Sequence, residues 1–321
     1  METRQNLYIL RLSIDLGIDF QKIQSWFLSE KNIVKGKEKE FFEQNDYIKN
    51  AKPLVKWVGG KRQLLKQFES LFPEEFNNYF EPFLGGGAVF FHLQREKSFL
   101  SDVNEELINL YTVVKNKPKK LIEFLERLDI SKEKFLEIRS WDRQENWRKQ
   151  YSDVERAGRF MYLNRTGFNG LYRVNSKGEF NVPFGSNKNP DIVQKENILN
   201  ASKLLKNTKA EIKLQSFEKV LEKAEKGDFV YFDPPYDVLT EGANFTSYNE
   251  SGFGREMQKK LRDIFIKLDK KGVFVMLSNH NTDFIREIYD GFRFEIVKAK
   301  RNVNSNASGR GEIDEIVILN Y

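Results

Sequence analysis

The run Asp233-Pro234-Pro235-Tyr236 carries the clearest chemistry in the chain. It follows Asp228-Phe229-Val230-Tyr231-Phe232, an apolar run of strand length. Two prolines cannot donate ladder hydrogen bonds, so the strand must stop there and the backbone must stiffen. At the carboxyl edge of an open parallel sheet, where ligands bind, a carboxylate, a rigid carbonyl and an aromatic face then stand side by side. Such a group suits an amine delocalised into an aromatic ring, as adenine N6 is. The Asp233 carboxylate and the Pro234 carbonyl can accept the amine hydrogens, draw the nitrogen toward tetrahedral geometry and free its lone pair. Tyr236 supplies a surface on which the base can stack. Methyl transfer to N6 along this line needs no covalent intermediate, whereas transfer to cytosine C5 needs a cysteine nucleophile, and the chain has none.

A second constellation lies upstream. Tyr79-Phe80-Glu81-Pro82-Phe83-Leu84 runs into Gly85-Gly86-Gly87, and a helix is expected over 88–94. Gly85 and Gly87 carry no side chain, so the turn can be tight and a ligand can lie against bare backbone. Asp102 ends the next apolar run, where a carboxylate can grip ribose hydroxyls. Any nucleotide-binding fold could use this arrangement. The nicotinamide version asks for a third glycine where Phe90 stands, which disfavours that version without ending it.

Composition narrows the classes. With 53 Lys and Arg against 47 Asp and Glu, the net charge of +6 points toward a polyanionic partner without identifying one. The absence of cysteine excludes disulfides, iron–sulfur clusters and Cys-based zinc sites. His92 and His280 are the only two histidines, too few for a His-based site, so no metal is expected. At 40% hydrophobic and 31% charged residues, the chain reads as globular with an ample core. Its longest apolar runs are of strand length and no signal peptide precedes them, so a cytoplasmic protein without a membrane span is expected.

From residue 52 onward, short apolar runs alternate with helices, the pattern of an α/β domain with a mostly parallel sheet. Strands are expected at 79–83, 98–101, 211–215, 229–232, 273–277, 292–297 and 316–319, the last two as an antiparallel hairpin. A helix is expected over 255–270, where Met257, Leu261, Ile264, Phe265 and Leu268 form one apolar stripe that Gly272 ends. Between 105 and 191 the alternation gives way to a stretch rich in Arg, Lys, Asn and aromatic residues, read as an insertion for substrate recognition. Residues 1–50 have helical spacing and mixed charge. They fit either a small helix-turn-helix or a helical pair packed on the main body.

Together these residues resemble the Dam-type DNA adenine N6-methyltransferases, including the modification enzymes of GATC restriction systems. The likeness covers roughly residues 52–321. It rests on Lys56-Trp57-Val58-Gly59-Gly60-Lys61, on Phe83-x-Gly85-x-Gly87, on the insertion and on Asp233-Pro234-Pro235-Tyr236, in the order of the alpha group of amino-methyltransferases. It implies an S-adenosylmethionine-dependent (Rossmann-like) mixed α/β sheet, over 51–104 and 192–321, with a helical and β-hairpin target-recognition insertion over 105–191. The extension 1–50 has no counterpart in compact family members.

The resemblance also implies roles. Trp57, Lys61, Phe83, Gly85, Gly87, Asp102, Phe217 and Asp233 correspond to positions that bind S-adenosylmethionine, with Lys61 toward the methionine carboxylate and Phe217 near the adenine. Asp233, Pro234, Pro235 and Tyr236 correspond to the catalytic pocket. The stretch from Leu163 to Gly185 is similar to the hairpin that reads GATC in double-stranded DNA. Phe168 and Asn169 would fill the space left by a flipped adenine, Leu171, Arg173 and Pro183 would meet base edges, and Lys56 the outer base pair. A restriction endonuclease is the implied functional companion. Ser186 stands where many relatives carry a basic residue, and Phe168 replaces the commoner tyrosine. Other classes stay in view: an RNA adenine methyltransferase, a DNA-binding protein without catalysis, and a nicotinamide oxidoreductase.

Overall fold

The alternating pattern resolves into seven strands in the structure, a computed structural model that describes residues 50–238, 253–300 and 312–321. They are β1 (Tyr79–Glu81), β2 (Ser98–Asp102), β3 (Glu211–Leu214), β4 (Phe229–Phe232), β5 (Phe274–His280), β6 (Arg293–Lys300) and β7 (Glu312–Leu319). One sheet holds them in the order β3-β2-β1-β4-β5-β7-β6. The five strands from β3 to β5 pair in parallel, and β7 runs antiparallel to both β5 and β6. The expected C-terminal hairpin is therefore present, and its second strand is inserted beside β5.

Strand ends follow local chemistry. β1 stops at Glu81 because Pro82 has no N–H to give to the ladder. β6 and β7 outrun the expected 292–297 and 316–319, pairing over their full lengths from Arg293 and Leu319 to Lys300 and Glu312. Exposed Lys298 stands between buried Val297 and Ala299, and Asp314 is exposed, which hides the outer parts of the strands from a search for apolar runs.

The central strands are buried on both faces, as the continuous run Phe229 to Phe232 requires. Phe229, Tyr231 and Met276 join one core layer, and Val230, Phe232, Val275 and Leu277 join the other.

Ten helices complete the described residues: α1 (Leu65–Phe68), α2 (Ala88–Leu93), α3 (Glu105–Asn116), α4 (Pro118–Leu125), α5 (Lys132–Arg139), α6 (Trp147–Gln150), α7 (Asp153–Thr166), α8 (Lys195–Asn207), α9 (Arg255–Lys270) and α10 (Asp283–Ile288). α9 buries the expected stripe at Leu261, Ile264, Phe265 and Leu268. α3 begins at Asn104, whose side chain accepts the Leu107 N–H, and packs on β2 and β3. α7 begins with a capping box between Ser152 and Glu155 and packs against α3, α4 and α5. Among the described residues no helix is long and apolar enough to cross a membrane. The helices expected in 1–50 and the basic loop expected at 300–310 lie almost wholly outside the described residues.

Candidate active site

Strand order fixes where a ligand can bind. β1 lies between β2 and β4, so connections leave toward opposite sides of the sheet and open a crevice at the carboxyl ends of β1 and β4. The glycine turn follows β1, and Asp233 follows β4. Gly85 adopts φ +46°, and a Cβ there would lie 2.7 Å from the Trp57 ring. The indole thus lies directly on the turn. The Gly85 N–H donates to Asp102 Oδ2 at 3.0 Å and the Asn104 N–H to Oδ1 at 2.9 Å, tying the ends of β1 and β2 together. Burial raises the Asp102 pKa, and these N–H groups work against the rise.

Lys61 reaches into the same crevice from the short helical turn Lys61–Gln63. Its side chain is 3% exposed, and Nζ stands 2.8 Å from Asp233 Oδ1. Nζ also donates to the Gly59 carbonyl at 2.5 Å and lies 4.6 Å from the centre of the Tyr236 ring. Burial raises the Asp233 pKa, and the Lys61 charge and hydrogen bond oppose it. Tyr236 donates its hydroxyl to Glu315 of β7 at 2.8 Å and meets His280 edge to face. The backbone beyond the prolines is also held. Gln258 donates to the Pro235 carbonyl at 2.7 Å, and Asn279 accepts the Asp237 N–H at 2.9 Å while donating to Gln258 at 3.1 Å.

Glu81 lies beneath the turn, only 2% exposed. It accepts the Tyr79 hydroxyl at 2.8 Å and the Phe90 N–H at 3.0 Å. Burial pushes its carboxyl from the ordinary 4.5 up to about 8, and the charges of Asp233 and Asp102 add to the rise. Phe83 stacks on Phe217 at 5.3 Å beside the crevice, with the edge of Phe253 against both.

The stretch after α7 folds back on itself, with antiparallel bridges between Gly167 and Phe184 and between Val174 and Phe180. The Phe168 N–H donates to the Pro183 carbonyl at 2.9 Å. Phe168 is 47% exposed at the tip of this fold. Asn169 follows in the left-handed region at φ +55°, and it is exposed. Leu171 is half-buried, whereas Lys56, Arg173 and Pro183 are exposed. Arg173 Nε donates to Asn181 Oδ1 at 2.7 Å, which holds its guanidinium across the hairpin. A buried ion pair, Arg159 to Asp142 at 2.6 Å, anchors the hairpin's base, since Asp142 also accepts the Phe180 N–H.

The structure thus brings Trp57, Lys61, Gly85, Asp102, Asp233 and Tyr236 to one crevice and Phe168, Asn169, Leu171, Arg173 and Pro183 to one hairpin, with Lys56 against its Gly170. Sequence reasoning missed Glu81, Glu315 and Gln258, whereas Asn279 lies in the segment 278–281 that follows a strand and is expected to line the base pocket. Glu81 left one signal, a carboxylate inside an otherwise apolar strand. The other two come from distant segments and left none.

A reversed strand inserted next to β5, with a glycine turn and an Asp-Pro-Pro-Tyr motif sharing one crevice, defines a methyltransferase-type α/β fold. The family profile of D12 class N6 adenine-specific DNA methyltransferases covers residues 57–303, and the chain belongs to this family. It is 50% identical over 274 residues to the type II methyltransferase M1.LlaDCHI of Lactococcus lactis subsp. cremoris, covering 85% of this chain and 96% of that one. It is 44% identical over 292 residues to the type II methyltransferase M.MjaIII of Methanocaldococcus jannaschii, covering 84% and 99%. It is 35% identical over 272 residues to the DNA adenine methylase of Escherichia coli K12, covering 85% and 96%.

Proposed function

We propose that this adenine-specific DNA methyltransferase methylates adenine N6 within GATC in double-stranded DNA, using S-adenosylmethionine and a flipped target base. The observation that carries the reading is the convergence of Asp233, Tyr236 and the Gly85 turn on one crevice, with the exposed Phe168 and Asn169 next to Gly170, which packs on Lys56. The crevice suits a nucleoside cofactor. A side chain at Gly85 would fill space already bounded by Trp57, the Asp102 carboxylate faces the turn, and Phe83 and Phe217 offer an aromatic slot. When bound, S-adenosylmethionine supplies an electrophilic methyl group.

The chain's own residues do the rest. The Asp233 carboxylate and Pro234 carbonyl accept the N6 hydrogens and localise the nitrogen lone pair. Tyr236, fixed by Glu315, holds the base by stacking. Trp57, Lys61, Asp102 and Phe217 hold the cofactor. In the division of labour, 51–104 and 192–321 perform catalysis and 105–191 reads the target. The similarity to enzymes named type II methyltransferases supports a restriction endonuclease as companion. Unmethylated duplex treated with the protein and cofactor, then sequenced for N6-methyladenine, tests the reading. Modified adenines confined to GATC support it, and another sequence context overturns the GATC assignment.

A further inference from the structure

Asn164 lies near the end of α7 and is fully buried. Its carboxamide bonds entirely to other segments of the chain. Oδ1 accepts the Lys56 N–H at 2.9 Å, and Nδ2 donates to the Lys56 carbonyl at 2.9 Å and the Gly170 carbonyl at 2.8 Å. An acceptor and both donors are used, so no smaller or apolar side chain can take its place without leaving buried backbone groups unpaired. Lys56 precedes Trp57, whose ring covers the Gly85 turn. Gly170 follows Phe168 and Asn169, and the approach is close: at Gly170, φ +67°, a Cβ would come within 2.4 Å of the Lys56 side chain. Trp57 also stacks on Tyr172, the neighbour of Leu171 and Arg173, at 5.7 Å and 18°.

We propose that Asn164 is a positioning residue for target recognition, holding the tip formed by Phe168 and Asn169 in register with the Lys56 and Trp57 segment. The inference rests on the reading of the hairpin as the DNA-contacting element. Base discrimination depends on geometry held to a fraction of an ångström, so releasing this clamp costs specificity before it costs fold.

The test compares kcat/KM on a GATC duplex with kcat/KM on duplexes changed at one base pair, beside thermal unfolding of each protein. Asn164→Ala and Asn164→Asp remove the donated bonds. Gly170→Ala disturbs the same contact from the hairpin side. Thr166→Val is the control, because Thr166 is buried in the same helix but its hydroxyl donates only within α7, to Tyr162. The expected result is a loss of discrimination of about tenfold or more in the Asn164 variants and in Gly170→Ala, with Thr166→Val unchanged in discrimination. Discrimination retained by whichever Asn164 variant folds, or by Gly170→Ala if neither does, overturns the proposal. An equal loss in Thr166→Val also overturns it. A wild-type enzyme that prefers another sequence defeats the GATC assignment alone, and the same ratios are then measured on that sequence. A wild type without any preference defeats both.

Discussion

Lys61 and Asp233 form an ion pair in which the cation is almost wholly enclosed and the carboxylate remains 22% exposed. Asp233 keeps an open side, and the Lys61 charge beside it governs how well the carboxylate accepts hydrogen bonds. Lys61→Met removes the charge that opposes the burial-driven rise in the Asp233 pKa. A protonated Asp233 is a poorer acceptor, so the acid limb of the kcat–pH profile should move to higher pH. At neutral pH the loss should be about tenfold or more, recovering as pH rises. An acid limb that stays in place refutes the assignment.

Asp233→Asn should reduce kcat by about a hundredfold or more while the protein stays folded, because the amide is a weaker acceptor than the carboxylate. Asp233→Ala should in addition cost about 1–3 kcal/mol of stability, since it strands the Lys61 cation beneath the crevice. The figure lies below that for a fully buried pair because Asp233 is partly solvated. Methyl transfer near wild-type rates by either variant sinks the mechanism.

The Glu81 carboxyl, raised from 4.5 to about 8, makes a stability prediction with a definite sign. Between those values the folded protein keeps a proton that the unfolded chain releases. The stabilisation is therefore complete below about pH 4.5 and is lost as pH rises through about 8. Glu81→Gln should flatten that part of the Tm–pH curve, since the amide oxygen still accepts from Tyr79 and Phe90. Curves that run parallel over this range disprove the assignment.

At Gly85 a methyl group meets the Trp57 ring, and the backbone is left-handed. Gly85→Ala should weaken binding of S-adenosylhomocysteine by about tenfold, as the turn and the indole move apart. Isothermal calorimetry measures this directly, and an unchanged Kd counts against the crevice as the cofactor site.

If Arg173 reads a guanine, Arg173→Ala should cost about 1–3 kcal/mol and relax preference at one position of the site. Its present partner, Asn181, pre-orients the guanidinium, so Asn181→Ala should show a weaker form of the same effect. A uniform loss across all sequences would make Arg173 a phosphate contact instead.

Much of this architecture is legible in the sequence because strong local signals coincide with it. Phe229 to Phe232 can only be a doubly covered strand, the prolines after it mark a sheet edge, and the stripe of α9 has helical period. The glycine turn and Asp102 are likewise written locally. What sequence reading could not supply is pairing across long separations. Lys61 resembles any lysine opening a helix until the fold sets it against Asp233, more than a hundred residues away. Asn164 looks like a polar helix residue, and only the packing of α7 against residue 56 reveals its use. The full lengths of β6 and β7 were obscured because exposed Lys298 and Asp314 interrupt the apolar runs.

The placement of β7 gives the molecule a particular order of completion. It is the last of the seven described strands, yet it sits inside the sheet between β5 and β6 and carries Glu315 to the hydroxyl of Tyr236. During synthesis Asp233 and Tyr236 emerge earlier, and the tyrosine hydroxyl can gain its Glu315 partner only once residues 312–319 arrive. A ribosome-bound fragment ending before them would hold the glycine turn and the Asp-Pro-Pro-Tyr motif without the strand that finishes the pocket. The Tyr236 hydroxyl is thereby left without this partner until that strand slots into place.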